Sequence, residues 1–192
     1  MKQPTYQKLL TISYSMKGIP YGAGPRPDGQ ANHGFKNLKA NPALLDEVPE
    51  LSSDDALRSL ITAIQAPTCG LFSIGCLSGE VSEPQGFRMT GYVEIAINSR
   101  SKAEGAAEYF PLFFHTDRFM YESGFNDRVI FYWELLPAMF LDAKTHGFTC
   151  AITINTEFHA TLEEARASWH RSLAALQHGF SLYLTQGSDP IY

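Results

Sequence analysis

Two short histidine-carboxylate pairs are the side chains of this chain best equipped for chemistry. His115 and Asp117 follow the apolar run Leu112-Phe113-Phe114, and Glu157 and His159 stand between a strand pattern ending at Asn155 and a helix start at Thr161. A His-x-Asp or a Glu-x-His can supply a general base with its orienting carboxylate, or ligands for a divalent ion. The second pair also occupies the turn beyond a strand's carboxyl end, where ligands of open α/β sheets gather. A shared site would bring the His115 and His159 rings to one ion. Pairs this short arise by chance, and solvated turn residues are the plainer reading of all four.

Other patterns exclude more than they suggest. His159-Ala160-Thr161 and His170-Arg171-Ser172 each match the short signature of two-histidine phosphoesterases. That chemistry needs each copy on its own central strand, whereas the second copy falls inside a predicted helix. Gly22-Ala23-Gly24 lacks the third glycine of a nucleotide loop, and Pro25 and Pro27 stand where its helix would begin. There is no Gly-x-Ser-x-Gly elbow, no His-Glu-x-x-His and no Walker loop. Cys69, Cys76 and Cys150 are an odd count in strand-like stretches without metal-knuckle spacing, so they read as small buried hydrophobes in a reducing compartment. No motif diagnoses a reaction, and none calls for a cofactor or a metal.

Charge supplies a different candidate. Asp46, Glu47, Glu50, Asp54 and Asp55 fall within residues 41–55 with no Lys or Arg among them. Asp54 and Asp55 suit the positive end of a helix predicted from about 54 to 65, capped by Ser52 or Ser53 and ended by Pro67. Asp46, Glu47 and Glu50 are left over and form the predicted contact for a basic protein partner. The formal charge of −5 over 192 residues disfavours a broad nucleic-acid interface, which draws on clustered Lys and Arg to replace counterions.

The elements that would position these residues are legible from periodicity. Phe148, Cys150, Ile152 and Ile154 alternate with small or polar neighbours, the pattern of a strand with one buried face. Thr161 and Glu164 form a capping box, after which Leu162, Ala165, Trp169, Leu173 and Leu176 draw one apolar stripe along a helix expected to close at Gly179. A second strand is predicted over residues 180–185. Further strands are predicted at 10–16, 70–77 and 87–98, the last two as an antiparallel hairpin with Gly91 marking a bulge or a close backbone approach. A short helix is expected within 101–109. Residues 129–134 read as a strand, followed by a helix that Pro137 starts and Gly147 ends; the alternative is a single helix kinked at Pro137. Residues 18–34, rich in Gly and Pro, form a long loop of the kind that is commonly functional.

These readings predict a single domain over residues 1–192 of the α+β class. Its mixed, largely antiparallel sheet would carry three to four helices, including a C-terminal strand-helix-strand unit. The composition, 44% hydrophobic and 18% charged, fits a soluble core-forming chain, and no apolar run spans a bilayer. The first residues lack a secretory pattern, so a cytoplasmic location is expected. The leading functional expectation is a protein-binding domain, an inhibitor or immunity-like neutraliser of a basic protein. The alternative is a small-ligand binder or hydrolytic enzyme built on a His/carboxylate site.

Overall fold

In chain order, the computed structural model describes residues 4–25, 31–183 and 189–192. Its strands are β1 (Gln7–Ile12), β2 (Lys17–Ile19), β3 (Gly24–Pro25), β4 (Ala31–Asn32), β5 (Leu71–Glu83), β6 (Gly86–Ile97), β7 (Val129–Phe140) and β8 (Thr145–Thr156). The α-helices are α1 (Asp55–Gln65), α2 (Arg100–Ala103), α3 (Phe110–Glu122) and α4 (Leu162–Phe180). One sheet runs β1-β7-β8-β6-β5, and β2 also pairs with β7, continuing the edge that β1 begins. β1 and β2 lie parallel to β7, whereas the remaining pairs of this sheet are antiparallel, so the fold is a mixed, largely antiparallel α+β arrangement. Among the described residues no helix is long and apolar enough to cross a membrane.

Period-two alternation assigns each strand residue to a face. Val93, Ile95, Phe131, Trp133, Cys150, Ile152 and Ile154 share the face that α1, α3 and α4 cover, and they form the main core with Leu57, Ile61, Leu112, Trp169 and Leu173. α4 opens on the expected Thr161–Glu164 capping box, and its Trp169 is fully buried. The indole Nε1 donates to Asp54 Oδ2 at 2.7 Å while Asp54 Oδ1 accepts from Leu57 N at 2.9 Å. Asp54, rather than Ser52 or Ser53, therefore caps α1 and pins it to α4. Gly91 is the close approach: a Cβ there would lie 2.7 Å from Trp169 Cη2 and would also overlap Leu77 O.

Three expectations are corrected. β7 runs straight through Pro137, with no helix over 137–147; the chain turns after Phe140 and returns as β8. Pro137 is tolerated because β1 pairs with β7 up to Leu135 and β2 resumes at Ala138, so its missing N–H faces the break in the edge. Residues 180–183 are helical, not a strand, since α4 continues to Phe180 and a 3-10 turn follows over Ser181–Tyr183; residues 184 and 185 lie outside the described residues. Gly179 sits inside the helix because α3 crosses there, and a Cβ on it would lie 2.8 Å from Thr116 Cβ. Finally, the first strand is Gln7–Ile12, which leaves Tyr14 and Met16 exposed in the link to β2.

On the other face Tyr92 and Glu94 of β6 stand beside Thr153 and Ala151 of β8. Part of this face is covered by the described residues that follow β2, a crossing segment that reaches β5 through Tyr21. Ile19 is fully buried in a smaller core with Phe72, Ile74, Ala96, Ala138, Phe140 and Ile191.

Candidate functional site

The crossing segment does not seal against the sheet. It leaves a cavity of about 320 Å³ beside β5, lined by Lys17 of β2 and by Tyr21, Asn32, His33, Gly34 and Lys36 from the crossing chain. Ser73 to Leu77, Tyr92 and Glu94 line it from the sheet, and Leu38, Val48, Glu50, Leu51 and Ile61 close it toward the helix side.

A β-bulge shapes its wall. The β5–β6 register shifts between Ser73 and Gly75, leaving Ile74 out of the pairing. The Ile74 carbonyl accepts a hydrogen bond from Tyr21 Oη at 2.9 Å. Gly75 makes room for two phenols, because a Cβ there would lie 3.1 Å from Tyr21 Oη and 3.4 Å from Tyr92 Oη. The backbone of Tyr21 is held in turn by Phe35, whose N–H donates to Tyr21 O at 3.0 Å. Between them Gly34 adopts a φ of +77°, where its N–H meets Asn32 Oδ1 at 2.9 Å. On the far rim, Lys39 Nζ donates to the Ile64, Ala66 and Cys69 carbonyls at 3.1, 2.7 and 2.7 Å, tying residues 36–39 to the end of α1.

Charges of both signs meet in this cavity. Glu94 pairs with Lys17 and accepts from Thr149 Oγ1, both at Oε1, so this buried carboxylate meets a cation and a hydroxyl. Glu50 faces the cavity with its side chain 22% exposed, and His33 Nε2 lies 3.9 Å from its Oε1. Burial pushes the Tyr21 phenol well up, with Tyr92, Glu94, Cys76 and Glu50 adding to the rise. Burial, then Glu50 and Asp54, push the Cys76 thiol up to about 12. Both effects favour the neutral thiol over the thiolate at Cys76.

The histidine-carboxylate pairs predicted from sequence lie elsewhere. His115 and Asp117 are on α3, where Asp117 Oδ1 sits 4.0 Å from Lys8 Nζ and the Asp117 carbonyl accepts from Tyr6 Oη at 3.3 Å. Glu157 reaches Arg128 at 3.5 Å, and His159 is bound through its backbone to Phe87 at the tip of the β5–β6 hairpin. Thr116 of α3 touches Gly179 near the end of α4, whereas His159 precedes the start of α4. The helix between them has 19 residues; at 1.5 Å per residue they stand roughly 25 Å apart. The two pairs therefore do not converge and cannot share an ion. Among the described residues no group of three or more His, Cys, Asp or Glu could hold a metal.

The three acids are also divided. Asp46 pairs with Arg58 and Glu47 with Lys36, both remaining largely exposed at 79% and 62%, while Glu50 turns into the cavity. Residues supplied by the cavity but not singled out from sequence are Tyr21, His33, Gly75, Tyr92 and Glu94. One signal pointed toward them, the long 18–34 loop. Comparison with protein-family models, with characterised proteins and with solved structures finds no match to this chain or its fold.

Proposed function

We propose that this protein binds a small organic molecule in the cavity between its crossing segment and the bulged β5. One observation carries the reading: a preformed space of about 320 Å³ whose wall combines aliphatic side chains with converging phenol, imidazole, ammonium and carboxylate groups. Apolar surface with placed polar groups among it is how small-ligand sites gain both affinity and orientation, and here the polar share is large. Binding is favoured over turnover, since Lys17 and Glu94 neutralise one another and burial favours the neutral Cys76 thiol.

A fragment screen followed by protein NMR tests this. Binders are expected to shift the amide resonances of Gly75, Cys76 and Tyr92, and Gly75→Val, which crowds both phenols, should abolish those shifts while leaving the fold intact. Hits that map elsewhere, or that survive Gly75→Val unchanged, overturn the reading.

The exposure of Asp46 and Glu47 favours a second reading, the neutralising contact with a basic protein. It rests on two acids rather than three, because Glu50 belongs to the cavity.

A further inference from the structure

The two carboxylates of the cavity differ in how completely they are answered. Glu94 meets Lys17 and the Thr149 hydroxyl. Glu50 has only His33 within ion-pair distance among the described residues, at 3.9 Å, and an imidazole is a cation only when protonated. Lys36, which also lines the cavity, is turned toward Glu47 at 3.4 Å. A carboxylate lining a partly open cavity with so little positive charge against it is a receptor for a cation. Around it, the remaining wall is apolar on one side, from Leu38, Val48, Leu51 and Ile61, and aromatic on the other, from Tyr21 and Tyr92. The aliphatic side suits a hydrocarbon body, and aromatic rings favour a nearby cation through their π-faces.

Resting on the cavity-binding reading above, we propose that the ligand is a compact primary amine. Its ammonium is received by Glu50, and its apolar body lies against Leu38, Val48, Leu51 and Ile61. A dianion such as a phosphate ester is disfavoured, because it would bring negative charge against Glu50. The fixed Lys17–Glu94 pair sets the far end of the site and offers no net charge to the ligand.

Three matched probes separate the possibilities: tyramine, its neutral counterpart 4-ethylphenol and its anionic counterpart 4-hydroxyphenylacetate, titrated into the full chain by NMR and calorimetry. Tyramine is expected to bind tightest, with shifts centred on Gly75 and Tyr92. Glu50→Gln should weaken tyramine by about tenfold and leave 4-ethylphenol unchanged, since only the charged partner is lost. Asp46→Asn, outside the cavity, should alter neither. If 4-hydroxyphenylacetate or 4-ethylphenol binds at Gly75 and Tyr92 more tightly than tyramine, or if Glu50→Gln leaves tyramine unaffected, the amine is wrong and the cavity reading stands. If none of the three moves those resonances, this proposal fails, and the fragment screen then decides whether the cavity reading fails with it.

Discussion

On the helix side of the sheet, Trp133, Ile152 and Ile95 meet side chains spaced at three and four along α1, α3 and α4, and every layer interlocks with the next. On the opposite side, the same strands meet a chain with little regular structure of its own, which leaves Ile19 at the end of β2 and touches β5 through Tyr21. A helix presents a continuous apolar stripe, so it can close a pleated surface without gaps. An irregular crossing makes contact only where a side chain happens to reach. The difference teaches that the cavity is a product of how the second face is covered, not of any residue set aside for it.

The sharpest way to break this comparison is Trp169→Ala, which should cost roughly 3–5 kcal/mol in denaturant melts, the range for truncating a buried large aromatic. The loss includes the donor to Asp54, and Trp169→Phe, which removes that donor together with part of the ring volume, should cost about 1–3 kcal/mol or more. A cost below about 1 kcal/mol for the alanine variant would mean that the helix side is not the tighter one. Ile19→Ala probes the other face. There the loss is expected near the low end for an aliphatic truncation, about 2 kcal/mol, because this core is much the smaller of the two. Equal costs per buried carbon on the two faces would refute the contrast.

A smaller effect, and one with a pH signature, comes from Lys8. Its side chain is 3% exposed, with Nζ 4.1 Å from the Phe113 ring centroid and 2.6 Å from the Phe113 carbonyl. Burial lowers its pKa from 10.5 to about 8, against an upward pull from Asp117. The unfolded chain therefore binds the extra proton between those two values, and the penalty for charging Lys8 is complete below pH of about 8 and relieved as pH rises above it. Stability attributable to this group should climb from pH of about 8 to 10, and Lys8→Met should flatten that rise. Tyr6, raised to about 12, acts in the opposite sense only above pH 10, where unfolded tyrosine ionises. A profile that is the same in Lys8→Met and wild type would remove Lys8 from the account.

The smallest change in stability is expected from Asp46→Lys with Glu47→Lys. Both side chains are exposed and each is paired singly, so melts should move by less than about 1 kcal/mol. The informative measurement is association with a basic partner, whose rate should fall with the reversal and, for wild type, with added salt. An unchanged rate would leave these acids as a solvated surface.

Much of the helix side could be read from the sequence because its signals are local. Alternation fixed the buried face of β8, and the capping box with its Trp169 stripe located α4 to within a residue or two. α3 escaped notice although Pro111 sits in its first turn and Leu112, Thr116 and Met120 recur at four, because dense aromatics mask the polar face that would outline a helix. Pro137 and Gly179 misled for a common reason. Each residue type has a favoured local use, helix start and helix end, that was overridden by a distant partner: a gap between two edge strands for one, Thr116 for the other. The cavity was legible only as a suspicious loop. Its wall joins residues 17–36 to residues 73–94, and nothing in either stretch announces the other.

The interrupted edge beside β7 has a further consequence, for how this protein avoids sticking to itself. β7 carries VIFYWELLPAMF, a twelve-residue run that would template foreign strands if left open. It is shielded by two short pieces of the same chain, six residues of β1 and three of β2, parted by the exposed link that holds Tyr14 and Met16. A neighbouring molecule approaching that side meets a stub, a protrusion and a second stub, too broken to propagate a ladder from one copy to the next.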